Sequence, residues 1–64
     1  MEINRWGLKA ARDEAGYNQK QMAEKLGMHI STYQRKENNP GKFFLKEVVK
    51  TCEVLDKSIQ EIFF

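Results

Sequence analysis

"GMHISTYQRKENN", residues 27–39, holds one large aromatic residue, Tyr33, between a glycine in front and paired asparagines behind. A helix in so short a chain ordinarily gives the core a wide apolar stripe. This one offers little beyond Tyr33. At about 100° per residue, turning Tyr33 inward puts Lys36 and Glu37 at the flanks of the buried side. Ser31, Gln34, Arg35 and Asn38 then share the opposite arc. An ordinary solvated helix face has the same periodicity, so the arc needs a context before it means anything.

The neighbouring segments supply that context. Upstream, "NQKQ" places Asn18 as a cap with Gln21 three residues later, a capping box, and the helix it opens turns Met22, Ala23 and Leu26 inward before stopping at Gly27. The pair therefore reads as helix, tight turn, helix, with Ala23 small enough for close approach. Before it, a helix runs from an Asn4 cap through Leu8, Ala11 and Ala15 to Gly16. After it, Leu45 to Leu55 forms a fourth helix with Leu45, Val48, Val49, Cys52 and Leu55 on one face. "SIQEIFF" closes the chain with a second capping box, Ser58 and Glu61. No segment alternates with period two long enough to find a partner strand. The expected fold is all-α, five short helices in one domain over residues 1–64.

Composition narrows the function classes. The 64 residues are 41% hydrophobic and 31% charged, as in globular domains, and suffice for one marginal core. A single cysteine excludes an internal disulfide and fits a reducing compartment, so a cytoplasmic location is expected. No apolar run can span a membrane or serve as a signal peptide. Metal binding needs several converging ligands, and there is one His and one Cys. Cys52 reads as a small core residue. His29 has no neighbouring acid or nucleophile to orient it, and the four glycines form no phosphate loop. No metal, cofactor or catalysis is expected; the chain reads as a binding protein.

Net charge is only +2, but its distribution is uneven. Residues 1–17 balance to zero. Residues 18–44 carry Lys20, Lys25, Arg35, Lys36 and Lys42 against Glu24 and Glu37, an excess of +3, and residues 45–64 sum to −1. Clustered positive charge marks an anion-binding face, although scattered surface charge accounts for so modest an excess equally well. A short, donor-rich helical arc inside the basic segment is what a helix lying in a DNA major groove requires.

Two stretches, "LKAARDEAGYNQKQMAEKLGMHISTYQRKEN" and "LKEVVKTCEVLDKSIQEIF", resemble the lambda-repressor-like helix-turn-helix family of phage repressors, Cro proteins and bacterial regulators. The likeness spans Leu8 to Phe63, and "STYQRKE" followed by Phe43, Leu45 and Glu47 resembles its short phage-type members. It implies a sequence-specific DNA-binding transcriptional regulator, repressor or Cro-like, with residues 29–38 as the recognition helix. By position, Ile30, Ser31 and Arg35 match residues that meet base edges, flanked by His29 and Gln34. Gln19, Asn38 and Lys42 match phosphate contacts. Arg12 and Glu37 match a partly buried ion pair between the first and third helices. Two alternatives share the fold: an antitoxin or restriction-system controller, and a protein-interaction module that does not bind DNA.

Four departures from the family pattern stand out. His29 replaces the usual Ser or Thr cap, so that helix end is weaker or uses the imidazole. Lys36 replaces an apolar residue and is expected to snorkel, its ammonium in solvent. Phe44 replaces a capping Ser or Thr. "NNPG", residues 38–41, replaces a glycine turn. Phe63 and Phe64, with Phe44 or Trp6, are expected to form an exposed apolar patch for a homodimer on a double-stranded operator.

Overall fold

The computed structural model describes residues 3–64, and among them there are five α-helices and no strand: α1 (Gly7–Ala15), α2 (Gln19–Lys25), α3 (Ile30–Asn38), α4 (Leu45–Leu55) and α5 (Ile59–Phe63). The chain is all-α. Each helix start has a local cause. Asn4 Oδ1 accepts from the N–H groups of Trp6 and Gly7, both at 3.0 Å, so it caps α1 from further out than a conventional cap. Both capping boxes form, Asn18 with Gln21 and Ser58 with Glu61. Gly27, with φ +68°, turns the chain from α2 into α3 through left-handed backbone that favours glycine.

The core is built from Leu8, Ala11, Met22, Ala23, Tyr33, Phe43, Leu55, Ile62 and Phe63. α4 meets it differently from the sequence expectation. Its inward stripe is Val48, Thr51, Cys52 and Leu55, and Thr51 is fully buried. Thr51 tolerates this because its hydroxyl donates to the Glu47 carbonyl at 2.7 Å. Leu45 and Val49, expected inside, are instead exposed. The sense of rotation follows from Glu47, which pairs with Lys36 of α3 and accepts from the Phe44 N–H at 2.8 Å. Turning Glu47 toward α3 turns Leu45 and Val49 away.

Phe63 is also corrected. It is 3% exposed and stacks edge-on against Phe43, with ring centroids 5.6 Å apart. Its carbonyl accepts from the Asn4 N–H at 2.7 Å, strapping the N-terminal segment across α5. It belongs to the core rather than to an exposed patch. Phe44, Phe64 and Trp6 are exposed.

"NNPG" forms a 3-10 turn over Pro40–Lys42, with Asn39 at φ −138°, so no left-handed glycine is needed there. No helix among the described residues is long and apolar enough to cross a membrane.

The α1–α5 crossing depends on Gly7. A Cβ built there lies 2.2 Å from the Ile62 carbonyl oxygen, a backbone atom that cannot rotate aside. In an open helix Gly→Ala stabilises by up to about 1 kcal/mol. Here overpacking, about 1–3 kcal/mol, outweighs that gain. Gly7→Ala is expected to lower the melting temperature by roughly 10 °C. An unchanged or raised value would show that α1 and α5 separate freely.

Candidate nucleic-acid interface

α3 is anchored by Tyr33, fully buried, and by polar groups on each side of it. On one side, Arg12 of α1 meets Glu37 through two parallel bonds, Nε to Oε2 at 2.9 Å and Nη2 to Oε1 at 3.2 Å. Arg12 is 7% exposed and Glu37 4%. Arg12 Nη1 also donates to the Tyr17 carbonyl at 2.7 Å. The expected ion pair is present, and more deeply buried than its resemblance implied. Glu37 Oε1 further accepts from Gln19 Nε2 at 3.4 Å, and Gln19 Oε1 accepts from Gln34 Nε2 at 3.1 Å. One chain of contacts thus runs from α1 through α3 to α2 and back to the exposed arc of α3.

Burial pushes the Glu37 carboxyl up, but hydrogen bonds and charge from Arg12, helped by Tyr33 and Gln19, outweigh it and leave the pKa below the ordinary value. The Glu37 hydrogen bond raises the Arg12 pKa against the opposing effect of burial. The Tyr33 hydroxyl is buried beside this pair, and burial, then its contact with the Glu37 carboxylate, raises its pKa.

On the other side of Tyr33, Lys36 corrects its expected placement. Its ammonium is not in solvent but pairs with Glu47 of α4, 4.4 Å from the Phe44 ring centroid. The lysine stem covers apolar surface as expected, and its charge finds a carboxylate there. Burial raises the Glu47 pKa, but Lys36 and the Phe44 N–H together lower it further, leaving it below normal.

With both flanks held, Ser31, Gln34, Arg35 and Asn38 are exposed on one face. Arg35 and Asn38 share a shallow depression with Lys42, Thr32, Lys36 and Asn39. Gln19 joins Asn38 in a second cavity lined also by Arg5, Trp6 and Lys9. His29 is the cap of α3: its Nδ1 accepts from the Ser31 N–H at 3.3 Å and lies 2.9 Å from Ser31 Oγ. The imidazole therefore does the work of the usual hydroxyl, and two candidate base-reading side chains hold each other in the free protein. Ile30 stands apart, half-buried and packed against the core, with only part of its side chain open.

Arg5 and Lys9, which line this second cavity, were not singled out in the sequence, and Trp6 was expected only in an apolar patch. Summing charge over residues 1–17 hid them, because Glu2, Asp13 and Glu14 cancel Arg5, Lys9 and Arg12. Their spacing carried a signal, since Arg5, Lys9 and Arg12 recur at intervals of four and three, with Arg5 in the turn just before α1. Among the described residues, no cluster of three or more His, Cys, Asp or Glu side chains is placed to hold a metal.

A family model described as "Helix-turn-helix" matches residues 8–62. No curated protein and no solved structure matches the chain.

Removing one partner of a buried pair leaves the other charged and unsatisfied, at a cost of about 3–5 kcal/mol. Glu37→Ala is expected to lose about that much and to be largely unfolded at 37 °C, read by thermal and urea melts. The pH sign follows from the lowered pKa: the folded state holds the Glu37 proton less tightly than the unfolded state. Its contribution is complete above the unfolded value and is lost as pH falls through the folded one. Stability should therefore fall below about pH 4, and less steeply in Glu37→Gln. A wild-type melting temperature retained by Glu37→Ala would show that the pair holds nothing together.

Proposed function

The chain belongs to the lambda-repressor and Cro type of helix-turn-helix family, a DNA-binding regulatory family, and we propose that it is a sequence-specific repressor or Cro-like regulator that lays α3 in the major groove of double-stranded DNA. The observation that supports this most is the division of labour on α3. The buried ring and both ion pairs that fix the helix lie on the side of Tyr33, and Ser31, Gln34, Arg35 and Asn38 are left exposed on the other. Arg35 offers two parallel donors to O6 and N7 of guanine, the commonest specific contact in that groove. Gln19, Asn38 and Lys42 border the arc and are suited to phosphate, which sets position rather than sequence. His29 and Ser31 lie at the N-terminal end of the helix, where recognition helices meet bases.

The same reading includes a two-fold dimer matching a palindromic operator. Phe64, 46% exposed, lines an apolar groove with Ile3 and Ile59, and Phe44 is 63% exposed. A second copy covering these side chains would remove apolar surface from water without disturbing the reading arc. Trp6, in a different cavity beside Gln19 and Asn38, is not part of this surface.

Substitutions at Arg35 and Lys42 should differ in kind. After selection of bound sites from random duplex DNA, Arg35→Ala is expected to cost about 1–3 kcal/mol on the selected site and to relax preference at one base pair per half-site. Lys42→Ala should weaken selected and scrambled duplexes alike and lower the salt slope by about one unit per subunit. Equal weakening of both duplexes by Arg35→Ala would make Arg35 a phosphate contact and remove it from base reading. Sedimentation of the same samples should give a dimer on the site; a monomer both free and bound rules out the two-fold arrangement.

A further inference from the structure

Arg5, Trp6 and Lys9 stand at the α1 edge of the proposed DNA face. All three line one cavity with Gln19, Glu37 and Asn38. Arg5 also lines a neighbouring one with Asn38 and Asn39. The carboxylate in this region, Glu37, already has its charge matched by Arg12. Among the described residues neither Arg5 nor Lys9 joins an ion pair. Two exposed cations therefore line a concave polar surface, and among the described residues no carboxylate is paired with either. The Arg5 guanidinium lies 5.8 Å from the centroid of the Trp6 ring, which is 67% exposed. An indole that stays in water while holding an arginine above its face gives up apolar burial for placement of a charge.

We infer that Arg5 and Lys9 form a second phosphate clamp, which extends the backbone contacts of Gln19 and Asn38 beyond the α1 edge of the reading helix. Trp6 orients the Arg5 guanidinium and packs against the DNA backbone. The inference rests on the DNA-binding reading above and adds a second stretch of strand to it, at the α1 edge of the face. The chemistry suits phosphate and not bases. Both cations lie on α1 or just before it, outside the arc that enters the groove, and a guanidinium and an ammonium neutralise phosphates without regard to sequence.

Trp6 is the only tryptophan in the chain, so its emission reports on this surface alone. The probe is a duplex selected by the wild-type protein from random DNA, with a scrambled duplex beside it, both titrated across a salt series. The variants are Arg5→Ala, Lys9→Ala, their double, and Lys50→Ala, which removes one exposed cation of α4 and lines none of these cavities. Arg5→Ala and Lys9→Ala should each reduce the slope of log affinity against log salt by about 0.9. They should weaken both duplexes by the same factor, and the double should lose about twice the slope. Trp6 emission should change when wild-type protein binds. A double variant that binds like Lys50→Ala, or Trp6 emission unmoved on a duplex that does bind, overturns the clamp. Binding abolished by Arg35→Ala but unaffected by the double would leave the DNA-binding reading intact and remove only this extension. A wild-type protein that binds no duplex would sink both.

Discussion

The buried pair between Arg12 and Glu37 is the constraint on which the rest of the arrangement depends. Both side chains are almost wholly removed from water, and they meet through two parallel hydrogen bonds. A buried ion pair is a poor source of net stability, because desolvating two charges costs about as much as their attraction returns. What it supplies is direction. A guanidinium fork accepts a carboxylate in one plane and at one distance, so it fixes α3 against α1 more tightly than an apolar contact of the same area. Oε1 of Glu37 also accepts from Gln19, and Gln19 in turn accepts from Gln34. Two side chains of the proposed DNA surface are thereby aimed from inside the core.

The pair has a counterpart across Tyr33. Lys36 and Glu47 join α3 to α4, and Glu47 at the same time caps the start of α4, where Phe44 has no side-chain oxygen to do so. α3 is thus held by one buried aromatic ring and two ion pairs rather than by an apolar stripe. This explains how a helix so polar in sequence is stably placed in a chain of 64 residues. The Tyr33 hydroxyl is itself buried beside the Glu37 carboxylate, so the ring and the ion pair are held together at one place.

Much of this was legible in the sequence, because caps and glycine stops act locally. Asn18 with Gln21, Ser58 with Glu61, and Gly27 set helix ends without any tertiary help. The exposed arc of α3 followed from helical periodicity about Tyr33. What periodicity could not give was rotation where two stripes competed. Leu45 and Val49 are more apolar than Thr51, yet the Lys36–Glu47 pair turns α4 so that Thr51 is inside. Phe63 looked surplus to a small core until Asn4 and Phe43 were brought against it. Lys36 looked solvent-bound because its partner lies eleven residues on, across a turn. The Arg12–Glu37 contact, twenty-five residues apart, came from family likeness and not from any local pattern.

The central claim is that the ion pair is kept for aim rather than for stability. Arg12→Met/Glu37→Met tests it directly, since an apolar replacement of a buried pair preserves packing and is often neutral or stabilising. Melting temperature and affinity for the selected duplex are to be measured on the same preparation. The account predicts a cooperatively folded double variant with DNA affinity at least about tenfold weaker, because Gln19 and Gln34 have lost the carboxylate that orients them. A double variant that folds and binds with wild-type affinity would contradict it.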